Sequence, residues 1–192
     1  MINLVLFGPP GAGKGTQADK IKQRYNLLHI STGEVIRSQV KAGTELGKVA
    51  EKQMSGGGLV SDELVIGLIK NYLADQKGAK GTIFDGFPRT TAQAEAFDVM
   101  LKEIGEDVTI MIALEVAEDE LVKRLLLRGN VSGRADDMSE DVIRHRISVY
   151  NAQTAIVSDF YQKQSKYVAI NGVGTVDEIF NRICDVLDRY VK

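Results

Sequence analysis

Ile2-Asn3-Leu4-Val5-Leu6-Phe7-Gly8-Pro9-Pro10-Gly11-Ala12-Gly13-Lys14-Gly15-Thr16 decides the fold. Its first six residues are apolar apart from Asn3, and a run of that length closed by glycine and proline reads as a buried strand. From Lys14 to Tyr25 the composition turns helical, so the unit is a strand, a glycine-rich turn and a helix. Outward from it, short β-like runs recur at 27–30, 82–84, 108–114 and 167–170, with helical stretches between them. Five buried strands alternating with helices predict an α/β protein with a mainly parallel sheet covered on both faces.

Helix starts are marked by Ser31-Thr32-Gly33-Glu34, Thr90-Thr91-Ala92-Gln93 and Thr175-Val176-Asp177-Glu178, each with the spacing of a capping box. Between the second and third strands the chain is too long for a simple crossover. It reads as three helices interrupted by Met54-Ser55-Gly56-Gly57-Gly58-Leu59, which predicts a small insert over 32–61.

The glycine-rich turn has the spacing G-x-x-x-x-G-K at a strand-to-helix junction. Gly11, Ala12, Gly13 and Gly15 let backbone N–H groups converge, the helix adds its positive N-terminal end, and Lys14 adds a point charge. That combination suits the phosphates of a nucleoside triphosphate. A dinucleotide fold fits worse, because G-x-G-x-x-G is out of register and no acid ends the second strand at Ile30. After Lys14 comes Gly15, where Ser or Thr usually meets magnesium; the hydroxyl arrives one place later, on Thr16. The N-K-x-D signature of a regulatory GTPase is absent.

The formal charge of −2 over 192 residues gives no general attraction to nucleic acid or an anionic membrane, so a bound anion must meet local Arg and Lys clusters. The apolar runs fall well short of the roughly 20 residues that span a bilayer. Gly8-Pro9-Pro10-Gly11 stops the first run too early for a secretion signal, and a cytoplasmic location is the default expectation. The lone Cys184 has no partner for a disulfide or a cysteine zinc site, and its place in the last helix reads as a buried structural thiol.

A second chemistry-bearing stretch is Gly81-Thr82-Ile83-Phe84-Asp85-Gly86-Phe87-Pro88-Arg89. An acid and an arginine just past a buried strand stand where open α/β sheets bind ligands. If that strand lies beside the first, Asp85 can orient waters around Mg²⁺ and Arg89 can grip a phosphate through two nitrogens; an exposed turn with a surface ion pair is the alternative. Farther on, Arg124 and Arg128 are four apart on one helix, where like charges repel unless a polyanion relieves them. Arg134, Arg144 and Arg146 follow, with Asp136 and Asp137 near enough to make surface ion pairs instead.

In order, GPPGAGKGTQ, STGEVIR, GGGLVSDELV, DGFPRTTAQ and RGNVSGRADD resemble the motifs of the adenylate kinase family, and the likeness covers nearly the whole chain. It implies a three-layer P-loop NTPase fold with a core of 1–31, 62–128 and 139–192, an AMP-binding insert at 32–61 and a short lid at 129–138. It implies reversible, Mg²⁺-dependent transfer from ATP to AMP giving two ADP, which maintains adenine nucleotide balance, with no nucleic-acid or membrane partner and no structural zinc. A monomer is the default.

By the same resemblance, Thr32, Gly33 and Arg37 border AMP, Leu59 and Val60 line its base pocket, and Gly86, Phe87, Pro88 and Arg89 border its phosphate. Gln93 reads the base; an amide both donates and accepts, although the Thr90 capping box would also explain it. Thr32 and Gln93 are the residue types that favour AMP over UMP or CMP. Arg124 and Arg128 face ATP, Gly174 approaches its adenine, and Arg134 with Arg146 faces the reaction centre. The stretch from Asp137 to Arg146 is one residue longer than in many relatives, so Arg144 competes for the place of Arg146.

His29 and His145 read as structural or solvated, and no Ser-His-Asp order is present. None is required, since a phosphate oxygen of AMP is already anionic and phosphoryl transfer runs on positioning and charge stabilisation. A UMP/CMP kinase of the same fold, or a nucleotide-binding regulator without turnover, are the alternatives.

Overall fold

In the computed structural model, which describes residues 1–54, 58–74 and 80–191, the five apolar runs are five strands of one sheet. They are β1 (Ile2–Phe7), β2 (Leu28–Ser31), β3 (Gly81–Asp85), β4 (Ile110–Glu115) and β5 (Tyr167–Asn171). Their order across the sheet is β2-β3-β1-β4-β5, and every neighbouring pair is parallel. Boundaries differ from the apolar runs by a residue or two. Leu27 and Val108 are buried but precede their strands, because burial is shared by strand and approach loop while the ladder starts only where pairing does.

Alternation along the strands divides the core in two. Leu4, Leu6, Ile83, Ile112 and Leu114 face α1 (Lys14–Tyr25), α6 (Glu118–Ser132), α7 (Glu140–Val149) and α9 (Val176–Leu187). Val5, Phe7, Phe84, Met111 and Ala113 face the opposite layer. That layer comprises α2 (Thr32–Lys41), α3 (Glu45–Met54), α4 (Asp62–Ala74), α5 (Thr91–Glu103) and α8 (Val157–Gln162). Phe97 of α5 packs edge-on against both Phe84 and Phe87, at 4.6 and 5.1 Å between ring centroids. Each such fully buried side chain stabilises the fold by about 1.5–3 kcal/mol of transfer free energy.

The capping boxes divide three ways. Thr175 and Glu178 make the complete reciprocal box at the start of α9. Thr90 accepts from Gln93 N, but the Gln93 side chain reaches past the cap to accept from Arg89 N at 2.8 Å. At Ser31 the expected side-chain cap does not form: Ser31 is the last residue of β2, paired with Asp85, and its hydroxyl makes no cap bond to α2. Three helices, α2, α3 and α4, do occupy the stretch between β2 and β3. Ser55, Gly56 and Gly57 of the predicted interruption lie outside the described residues.

Because β1 runs to β2 on one side while the chain later crosses to β4 on the other, the carboxyl end of β1 is where the connections part. A crevice outside that end is the expected ligand position in an open parallel sheet. Among the described residues no helix is long and apolar enough to cross a membrane.

Candidate active site

A cavity of about 950 Å³ opens at that crevice. Gly8 and the residues from Pro10 to Thr16 form its floor, between β1 and α1. Gly13 precedes α1 with φ of 94°, a backbone that glycine adopts without strain and that sets the first helical N–H groups toward the cavity. The ammonium of Lys14 is folded onto the loop, donating to the carbonyls of Gly8 at 2.8 Å and Pro9 at 3.0 Å. Burial pushes Lys14 down to about 8, Asp85 opposes this, and Arg89, Arg128 and Arg146 push it further down. Around Lys14 the floor therefore combines three further cations with the single carboxylate of Asp85.

Since β3 lies beside β1, Asp85 stands across the loop from Lys14 and Gly15. Its carboxylate Oδ2 is 3.9 Å from where a Cβ on Gly15 would sit, ordinary van der Waals contact, so the carboxylate borders the start of α1. Burial would raise the Asp85 carboxyl, but His29, Lys14 and Arg89 outweigh it and hold the group below the usual carboxylate range. His29 Nε2 lies 3.6 Å from Asp85 Oδ2 and has no hydrogen-bond partner among the described residues. His29, structural or solvated by its sequence context, comes to the cavity wall through its position on β2, one strand beyond β3. An ionised Asp85 and the Thr16 hydroxyl are oxygen donors of the kind Mg²⁺ takes through waters, alongside phosphates.

Thr32 is 3% exposed, and its hydroxyl donates to Gly86 O at 2.8 Å and Asp85 O at 3.3 Å, tying the start of α2 to the end of β3. One turn on, Arg37 lies against Gly33. Burial and the nearby Arg134 lower its guanidinium, while Asp136 and Glu34 pull the other way. Arg89 donates from Nε to Gly86 O at 2.8 Å. Burial lowers it most, Arg146 and Arg37 lower it further, and Asp85 opposes them. Leu59, Val60, Phe87 and Pro88 supply apolar wall, and Gln93, 1% exposed, reaches the cavity from the first turn of α5.

The far wall is the α6 to α7 segment. Arg124 pairs with Glu120 at 2.8 Å and donates to Gly172 O at 3.1 Å. Arg128 and Arg146 both engage Asp137, whose side chain is wholly buried. Arg134 and Asp136 line the same wall. Arg144, by contrast, points away: it pairs with Glu140 at 2.8 Å and Glu118 at 3.1 Å and does not line the cavity. Gly174, with φ of 131°, borders the opening beside Val176 and Ile179.

Apart from Arg144, the rival of Arg146, the topology thus brings each residue given a nucleotide or metal role in the sequence to one cavity, and among the described residues seven cations, Lys14, Arg37, Arg89, Arg124, Arg128, Arg134 and Arg146, line it. Lining residues without a sequence signal include Tyr150 and Thr154, which belong to a π-helical turn at Tyr150–Thr154 after α7. Wide turns of this kind recur at functional sites, but nothing in the residue pattern announces one.

Over residues 6–166 the sequence matches the family described as Adenylate kinase. It is 51% identical over 189 residues to a protein of Bacteroides thetaiotaomicron named Adenylate kinase, covering 98% of this chain and 100% of that one. Proteins of the same name from Parabacteroides distasonis and Stenotrophomonas maltophilia are 53% and 47% identical. The first match covers 98% of both chains, the second 95% of this chain and 97% of the other.

Proposed function

The chain belongs to the adenylate kinase family, and on that premise we propose that it transfers a phosphoryl group reversibly between Mg-ATP and AMP, giving two ADP. The observation that carries the assignment of roles is the convergence of Lys14, Arg89, Arg128 and Arg146 on one partly enclosed space beside an ionised Asp85. No nearby base is required, because the attacking AMP oxygen is anionic.

The loop N–H groups of Gly11, Ala12, Gly13, Gly15 and Thr16, with Lys14, Arg124 and Arg128, hold the triphosphate, and Gly174 leaves room for its adenine. Arg37 and Arg89 hold the AMP phosphate in line, with Thr32, Gly33, Leu59, Val60, Gly86, Phe87 and Pro88 bounding the nucleotide and Gln93 reading its base. Arg134 and Arg146 stabilise the charge that develops on the transferring group, each contact worth on the order of 3 kcal/mol in a site closed to water. Asp85 and Thr16 would hold Mg²⁺ through its waters, and the ion would supply positive charge against the phosphates of ATP. Closure of the 32–61 insert and the 129–138 cover excludes water. The protein acts as a cytoplasmic monomer on free nucleotides, without structural zinc.

The test is ADP formation from Mg-ATP with AMP, UMP, CMP or GMP against a control without acceptor. Fast turnover with AMP alone is expected. Preference for UMP or CMP would replace the acceptor assignment, and no turnover with any acceptor would leave a binding role only.

A further inference from the structure

The amide of Gln93 is fixed in one orientation by two partners of opposite kind. Its Oε1 accepts from the backbone N–H of Arg89 at 2.8 Å, and its Nε2 donates to Oδ1 of Asp62 at 2.7 Å. Asp62 is the first residue of α4, immediately after the segment read as the AMP-binding insert. Its carboxylate is held in turn by the Thr90 hydroxyl, 3.1 Å from each oxygen. A backbone N–H can only donate and an ionised carboxylate can only accept, so the pair excludes the flipped amide.

A carboxamide has two acceptor positions on oxygen and two N–H donors, so one of each remains for a ligand. We infer that Asp62 is a specificity-determining positioning residue, which holds Gln93 so that the acceptor pocket selects a 6-aminopurine nucleotide over a 6-oxopurine one. Adenine offers a donor at its 6-amino group and an acceptor at N1. Hypoxanthine presents the reverse, an acceptor at O6 and a donor at N1. A freely flipping amide serves either edge; the pinned one serves adenine and leaves unmatched polar groups against hypoxanthine. This rests on Gln93 being the base reader.

The experiment measures kcat and KM for AMP and for inosine monophosphate, with Mg-ATP as donor, in the intact enzyme. Asp62→Ala is expected to lower the AMP-to-IMP ratio of kcat/KM by roughly tenfold or more. The loss should fall mainly on KM for AMP, with KM for ATP unchanged. Asp62→Asn keeps an acceptor oxygen and should retain the ratio within about threefold. If the alanine variant does not fold, Asp62→Ser replaces it; serine is favoured near helix starts but is too short to hold Nε2. A residue that merely staples α4 to α5 would, when removed, slow both acceptors alike, and an unchanged ratio would overturn the inference. Gln93→Leu separates the role of Asp62 from that of Gln93. If it collapses the ratio while the Asp62 variants keep theirs, the role of Asp62 alone is lost; if it too leaves the ratio intact, the base-reading assignment fails with it.

Discussion

Arg128 and Asp137 form a two-pronged ion pair, Nε to Oδ2 at 2.6 Å and an outer nitrogen to Oδ1 at 3.1 Å, around a carboxylate with no solvent exposure. Arg146 closes on the same Oδ1 at 2.7 Å. One buried acid thereby holds two of the arginines assigned to phosphates.

The stability consequence depends on pH in a defined direction. Burial would raise Asp137, but Arg128 and Arg146 more than offset it, and its carboxyl is held below the ordinary 3.8. A depressed carboxyl stabilises the fold at all pH values above its unfolded value and loses that contribution as pH falls through the folded one. Asp137→Asn should therefore cost about 2 kcal/mol at pH 7. The difference from the parent should shrink steadily below pH ~4. Urea unfolding of both proteins across that range checks it; a gap that stays constant into acid would mean that the charge contributes nothing.

Lys14 gives the opposite titration. At about 8 in the free protein, it is largely neutral at pH 9, and a bound triphosphate should restore its charge, because adjacent negative charge favours the ammonium. ATP binding should then take up protons above pH 8 and almost none at pH 6.5. Calorimetry in two buffers of different ionisation enthalpy reads this uptake directly, and Lys14→Met should abolish it.

Much of this site was legible because its signals are local. Gly8 to Thr16 fixes a strand, a turn and a helix at once, and Asp85 with Arg89 follows a strand end in five residues. Once β3 paired with β1, those stretches had to meet. What stayed hidden depends on contacts distant in sequence. His29 faces Asp85 only because β2 is the outer neighbour of β3, and the Asp62–Gln93 bond spans 31 positions. Arg144 and Arg146 are indistinguishable by composition, and only the helical phase of α7 turns one toward Glu118 and the other into the cavity. The Ser31 cap misled for a related reason: its pattern is local, but the residue was already committed to β2.

Arg89 tests the division of labour between the nucleotides. Its Nε is tied to Gly86 O, and Asp85 and Arg146 lie close enough to act on its charge. Arg89→Ala should cut kcat/KM for AMP by on the order of 10²–10³, the scale of losing one charge-stabilising donor. ATP affinity in the absence of AMP should move by less than about threefold, which equilibrium binding would measure. Undiminished turnover would contradict the scheme, and an equal loss in ATP binding would move Arg89 to the triphosphate.

Gly129 separates helix propensity from packing. It is buried within α6, and a Cβ added there would run into the backbone carbonyl of Asp137. Gly67 in α4 is also helical, but a Cβ there meets nothing within 4 Å among the described residues. Propensity alone favours alanine at both positions by up to about 1 kcal/mol. Gly67→Ala should therefore raise the unfolding midpoint. Gly129→Ala should lower the midpoint, at a cost of roughly 1–3 kcal/mol in stability, because the clash is with backbone that no rotamer change relieves. It should also slow turnover more than a pure stability loss explains, since the displaced Asp137 is the residue that holds Arg128 and Arg146. If both substitutions stabilise, the turn over Ala135–Asp137 yields freely, and Asp137 is not the fixed anchor that its contacts imply.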